Sequence, residues 1–251
     1  MQIFGIDLWR ILLAVVLIIL VVKRANIVAS FAKSQFAKGN YGKAIKIFKV
    51  ADVIGNLNVN NKSFYGYALL RSGDPESAQV VLRGILPYTK EKTADRYQIK
   101  NLLALTYWKL GNLEDAIEEL EEVAEQNYKT TVIYQNLGLL YNLSDDSEKA
   151  LAFNLEAYEY NSDDNIILDN LAEAYAKSGD FEKAIEYYEK LLGGEKEPHF
   201  PEAYWGYGEV LVKSGQKDKG IEMIEKSLTK KFTYLSTKTK EQVEEMLSQY
   251  K

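Results

Sequence analysis

Cysteine is absent from the 251 residues, and histidine occurs once, at His199. The first absence excludes disulfides, thiolate metal sites and cysteine nucleophiles. His199 has no companion at metal-ligand spacing and reads as part of a proline-flanked surface loop. No glycine-rich phosphate loop, nucleophile motif or paired His/Glu helix motif occurs, so no enzyme is expected and no cofactor or metal is assigned. The stretch Asn161-Ser162-Asp163-Asp164-Asn165 is calcium-like in composition but lacks the central glycine and closing glutamate of such a loop. It reads as a loop with a helix cap. The basic part of the chain has no aromatic stacking pattern, so nucleic acid is not an expected partner.

What is present is an ordered composition, 47% hydrophobic against 27% charged, and one unbroken apolar run. Ile11 to Val22 is apolar throughout, and extending it back to Ile3 meets only Gly5, Asp7 and Arg10 as interruptions. A spanning helix needs roughly 20 residues, and Asp7 and Arg10, three apart near the end of the span, can pair on one helical face. A cleaved signal peptide or an interfacial helix would also accommodate such a run. Lys23 and Arg24 stand where small neutral residues should precede cleavage, and a later cut at Val28-x-Ser30 would split the first helix that follows. The reading carried forward is an uncleaved anchor over residues 1–24, with membrane contact through residues 3–22. Seven basic residues follow it (Lys23, Arg24, Lys33, Lys38, Lys43, Lys46, Lys49) with no acid before Asp52. Positive residues stay on the cytoplasmic side, so a single-pass cell-membrane protein with its remaining chain in the cytoplasm is expected. With no glycine or proline from Ile6 to Lys38, one continuous helix should run out of the bilayer.

Charge is polarised behind the net value of −5. Residues 23–109 hold 15 basic and 5 acidic side chains, whereas residues 110–210 hold 6 basic and 24 acidic. The acidic part invites a basic partner, although acidic solvent faces also serve solubility. The run Glu118, Glu119, Glu121, Glu122 and Glu125 fits such a solvated face.

Six small residues, Ala44, Ala78, Ala116, Ala150, Ala184 and Gly220, recur at steps of 34 to 38 residues. Five residues before each lies a turn residue: Gly39, Gly73, Gly111, Asp145, Gly179 and Gly215. Self-similarity at this period marks a solenoid, whose units bury their apolar faces only against neighbours. In the stretch 165–194, Leu168, Leu171, Ala172 and Tyr175 form one helical stripe, Gly179 ends it, Asp180 caps the next helix, and Ala184, Tyr188 and Leu191 form the facing stripe.

The pattern resembles the tetratricopeptide repeat (TPR) family. Leu103-Ala104-Tyr107-Gly111-Ala116, Leu137-Gly138-Tyr141-Asp145-Ala150 and Leu171-Ala172-Tyr175-Gly179-Ala184 carry its signature. Tyr65-Gly66-Leu69-Gly73-Ala78 matches with leucine in the aromatic slot, and Phe31-Ala32-Gln35-Gly39-Ala44 and Tyr207-Gly208-Leu211-Gly215-Gly220 are atypical end units. The resemblance implies an all-α, right-handed solenoid of six helix pairs over residues 25–230. A capping helix within 231–251, with Val243, Met246 and Leu247 inward, would close the end.

In TPR proteins the first helix of each pair lines the concave surface, and the residue before the large apolar one often grips an extended peptide. Asn136 and Asn170 hold that slot one period apart, and an amide can both donate and accept. Interhelical hydrogen bonding is the competing role for both. The same face is expected to carry Gln135, Asp169, Glu173 and Lys177, with Tyr67, Arg71, Trp108 and Lys109 toward one end and Trp205 and Glu209 toward the other. The positions at which TPR cochaperones clamp a C-terminal carboxylate are Ala29, Lys33, Phe64, Gln98 and Leu102. Only Lys33 suits that chemistry, so a chaperone-tail receptor is not expected. The function expected is a bacterial membrane-anchored adaptor holding a protein or extended peptide, preferably a basic one, at the cytoplasmic face. The alternative is an assembly or quality-control factor for envelope or secretion machinery. Self-association stays open.

Overall fold

The computed structural model describes residues 2–3 and 6–251. Residues Gln2–Ile3 and Ile6–Asp7 form a two-residue antiparallel ladder, and among the described residues everything regular beyond it is helical. The long apolar helix is α1, Leu8–Ala37. It begins at Leu8, after the ladder residues Ile3, Ile6 and Asp7 of the expected 3–22 span; Phe4 and Gly5 of that span lie outside the described residues. At 1.5 Å per residue its 30 residues extend about 45 Å.

The two halves of α1 do different work. From Leu12 to Val22 the large apolar side chains are exposed all round, Val22 at 71%. Beyond Arg24 one face is buried: Ala25, Ala29 and Ala32 are at most 1% exposed, and their small size lets α2 (Tyr41–Ile54) pack close. Arg24 marks the change. Its Nε donates to the carbonyl of Ile54, at 2.6 Å, at the C-terminal end of α2, and its Nη1 donates to the carbonyl of Val21 at 2.7 Å. A cation there complements the negative end of the α2 dipole.

The remaining helices are α3 (Val59–Arg71), α4 (Pro75–Ile85), α5 (Ala94–Lys109), α6 (Leu113–Glu125), α7 (Thr131–Leu143), α8 (Ser147–Tyr160), α9 (Asn165–Ser178), α10 (Phe181–Leu192), α11 (Glu202–Lys213), α12 (Lys217–Ser227) and α13 (Lys240–Tyr250). They follow the expected pairing. Gly39, Gly73, Gly111, Gly179 and Gly215 have φ between 79° and 89°, the left-handed turn that only glycine adopts without strain. Asp145 is the exception, because the α7–α8 joint turns through Ser144 in extended conformation and needs no left-handed residue. Side chains of Asp74, Asp146, Asp164 and Asp180 accept from backbone N–H groups of the helices they precede, the capping that an orphaned first turn requires.

The chain divides into two compact units, residues 1–99 and 100–251. In the first, Phe48 stacks on Tyr65 at 5.2 Å between centroids, and Ala44, Ala51, Leu69 and Leu82 are wholly buried. In the second, Leu171, Ala172, Ala184, Tyr188, Leu191, Tyr204 and Leu211 form a continuous core. The expected small residues Ala116, Ala150 and Ala184 are at most 1% exposed. At the C-terminal end α13 buries Val243 and Leu247 against Trp205 and Ile224, with Thr239 and Gln242 forming a capping box at its start.

Candidate functional site

The expected groove residues divide between the two units. Tyr67 and Arg71 belong to α3 in the first unit, where the Tyr67 ring lies 5.6 Å from Phe36 and 5.9 Å from Phe64. The other ten lie in the second unit, on α5, α7, α9 and α11.

Asn170 does not present its amide to a ligand. It is 2% exposed, and its Nδ2 donates to the carbonyl of Gln135 at 2.8 Å, joining α9 to α7. Asn136 is half-buried and donates to Asn101 Oδ1 at 2.8 Å, joining α7 to α5. Gln135 Nε2 reaches both oxygens of Asp164, at 2.8 and 2.9 Å, the carboxylate that caps α9. Asn142 and Asn154 extend this amide seam: Asn142 donates to the Asn170 carbonyl at 2.7 Å, and Asn154 donates to Asn142 Oδ1 at 3.0 Å. The two asparagines are interhelical ties. Each commits an amide N–H to the preceding first helix, Asn170 to the backbone of α7 and Asn136 to a side chain of α5.

The face next to this seam is acidic. Asp169 and Glu173 on α9, and Glu202 and Glu209 on α11, gather beside Trp205, Trp108 and Lys109. Asp169 is 7% exposed, its Oδ1 is buried without a hydrogen-bond partner, and burial, reinforced by Glu173 and Glu202, pushes its carboxyl well above the usual range. Burial raises Glu173 as well, against the opposing pull of Lys177 and Lys238. Lys177 is exposed and lies 3.8 Å from Glu173, while Lys213 pairs with Glu209 at 2.8 Å. Burial lowers Lys109 to about 8, opposed by the Glu202 charge.

Trp205 was expected as an exposed anchor and is instead 6% exposed, because the C-terminal segment covers it. Residues 229–239 cross from α12 to α13 outside any helix. Lys109 Nζ donates to the carbonyl of Ser236 at 2.9 Å, and the backbone N–H of Thr237 donates to Glu202 Oε1 at 3.1 Å. The Lys238 ammonium stands 4.0 Å above the Trp205 ring, as Lys109 stands 3.8 Å from that of Trp108. Glu202, Ser236, Thr237 and Lys238 were not singled out from sequence. The available signal was the cluster Phe232, Tyr234 and Leu235, three large apolar residues in a stretch with no helical stripe. Phe232 and Leu235 are partly buried, while Tyr234 is exposed.

His199 is exposed in its loop, and Asp164 accepts from the N–H groups of Ile166 and Ile167, the cap expected of that loop. Among the described residues no cluster of His, Cys, Asp and Glu is arranged to hold a metal ion.

Two stretches match tetratricopeptide repeat family models, residues 97–130 and 167–202, and neither model is of a catalytic family. No curated protein matches the sequence. The structure is similar to a tetratricopeptide repeat protein from Parabacteroides merdae, at 17% identity and TM-score 0.75, covering 91% of this chain and 84% of that one. It is similar to a thermophilic TPR protein of Thermus thermophilus, at 18% identity and TM-score 0.62, covering 77% and 98%. PilF of Pseudomonas aeruginosa is similar at 13% identity and TM-score 0.61, covering 80% and 89%. Identities this low speak for the fold alone; with the two family matches, the fold makes the pairs α5–α6 and α9–α10 tetratricopeptide repeats.

Proposed function

We propose that this chain is a membrane-anchored scaffold that holds a basic, extended protein segment on the acidic face of its second unit. TPR solenoids commonly serve as protein-binding scaffolds, and the family models matched are not of a catalytic family. The observation that carries the reading is the grouping of Asp169, Glu173, Glu202 and Glu209 around Trp205 on one face. Carboxylates beside an indole suit a lysine or arginine side chain, through charge and through cation–π contact.

The anchor rests on α1. Its segment Leu12–Ala37 contains an 18-residue window of mean hydropathy 2.4 and is long and apolar enough to cross a membrane, by length and composition alone, a test that a signal sequence also passes. Only 11% of its most apolar window is buried, which argues against the core helix of a soluble protein. The basic residues after Val22 favour a cytoplasmic solenoid.

Photo-crosslinking in native membranes tests the scaffold reading. A photoreactive residue at Lys177, on the rim of the acidic face, should yield a discrete adduct with another protein. One at Glu159, on the exposed side of α8, should not. Equal crosslinking at both positions, or none at Lys177, would remove this face as the binding surface.

A further inference from the structure

We propose that Ser236–Lys238 is a built-in ligand of the acidic face, and that an external segment carrying lysine or arginine binds by displacing it. The proposal rests on the reading of that face as a protein-binding surface, and goes further by naming what occupies it and what chemistry replaces the occupant.

The segment is gripped as a solenoid face grips a peptide. One backbone carbonyl, that of Ser236, is taken by Lys109, and the next backbone N–H, that of Thr237, by Glu202. One side chain, Lys238, is read by the Trp205 ring and by the field of Glu173. The donors and acceptors lie on α5 and α11, which are remote in sequence from the segment and from each other. The main-chain contacts ask only for a carbonyl at 236 and an N–H at 237, so proline is excluded at 237; the Ser236 side chain adds a hydrogen bond to Glu202, and position 238 demands a cation.

The fit is incomplete. Thr237 Oγ1, Trp205 Nε1 and Asp169 Oδ1 are buried without hydrogen-bond partners, and Lys109 gives up much of its hydration to reach Ser236. Buried polar groups are nearly always satisfied, and leaving them unpaired is costly. A ligand that paired Trp205 Nε1 and Asp169 Oδ1, while releasing Thr237 Oγ1 to solvent, would therefore outcompete the resident segment. Displacement need not unfold anything else. Phe232 on one side packs with the Trp205–Ile224–Val243 cluster, and the Thr239 capping box fixes the start of α13 on the other. The residues between them form a local turn, in which the Thr233 carbonyl accepts from the Ser236 N–H at 3.0 Å. The lift involves a few residues tethered at both ends, and such a tether holds its ligand at millimolar effective concentration.

The test uses the full chain in detergent and a labelled synthetic peptide with the sequence of residues 232–240, FTYLSTKTK. The double variant T237P/K238E removes the N–H given to Glu202 and reverses the charge opposite Glu173. The peptide should bind this variant about tenfold more tightly than it binds the unaltered chain. A peptide with glutamate in place of its first lysine should not bind either protein. Lys238→Ala, a milder change, should give an intermediate affinity and make Trp205 emission more accessible to acrylamide. Equal affinity for all three proteins would overturn the proposal, as would failure to bind variants whose circular dichroism melts match the unaltered chain. If the proposal fails while crosslinking at Lys177 persists, the scaffold reading survives. If crosslinking at Lys177 is absent while the peptide competes as expected, the built-in ligand stands and the external partner falls.

Discussion

The side-chain amide of Asn170 donates to the backbone carbonyl of Gln135 across 2.8 Å, so the residue ties α9 to α7 from a fully packed position. Asn136 makes the corresponding 2.8 Å bond to the side chain of Asn101 from a half-buried one. The two look alike in sequence and should behave differently on truncation. Asn170→Ala removes this tie and opens a small void, while the Gln135 carbonyl keeps its place in the helical ladder of α7, a loss of about 1–2 kcal/mol. Asn136→Ala should cost less, about 0.5–1 kcal/mol, because Asn136 is itself only half-buried and its truncation leaves a smaller void. Urea melts of both single variants check this, and equal losses would show that burial at residue 170 is not what matters.

Gly208 and Gly220 bring α11 and α12 into backbone contact. A Cβ on either would lie 2.6 Å from the other's carbonyl oxygen, and a backbone atom cannot move aside as a flexible side chain can. Gly220→Ala should therefore destabilise by about 2 kcal/mol or more, the cost of forced overpacking. Gly84, near the end of α4, is the internal control. A Cβ there meets nothing within 4 Å, so Gly84→Ala should stabilise by about 0.5–1 kcal/mol through helix propensity alone. Melting temperatures that move in the same direction for both substitutions would contradict the contact.

This pair also shows how far the sequence could be read. The small residue at 220 followed from the period, and with it the pairing, the turn glycines and the core stripes, because those depend on neighbours within one or two repeats. The acidic character of the second unit was legible as well, from the charge count. The roles of Asn136 and Asn170 were not, since a groove contact and an interhelical tie place the same residue type in the same slot. The seat of Ser236 on Lys109 was beyond reach: the two are separated by 127 positions, and no periodicity links an irregular segment to a helix that far upstream.

Protonation of the acidic face should be visible in stability. Burial raises Asp169 and Glu173 in the folded chain, so the native state binds more protons than the unfolded one once pH exceeds the ordinary carboxylate range. Stability from these groups is then lost as pH rises through that window and regained on acidification. Asp169→Asn removes the charge while keeping the shape. The melting temperature of the variant minus that of the unaltered chain should be positive at pH 8 and shrink toward zero at pH 5. A difference independent of pH would mean that Asp169 does not titrate in this range.

The absence of cysteine makes the topology of α1 directly measurable, because a single introduced thiol is the only one in the chain. Leu17 lies in the part of α1 exposed all round, and Lys38 lies just past its end. If Leu12 to Val22 cross the bilayer and the solenoid is cytoplasmic, Leu17→Cys should resist a membrane-impermeant maleimide in intact cells and in inverted vesicles alike. Lys38→Cys should resist it in intact cells and react in inverted vesicles. Reaction of residue 38 in intact cells would place the solenoid outside, against the basic residues that follow Val22. Reaction of residue 17 in either preparation would mean that the apolar stretch lies on the membrane or has left it. Arg24 sharpens the expectation: bonded to the carbonyls of Val21 and Ile54, it cannot enter the hydrocarbon without pulling the end of α2 with it. The boundary should therefore fall at residues 23 and 24, and a cysteine scan of the exposed positions Val21, Val22, Lys23, Ile27 and Ser30 should show protection ending there.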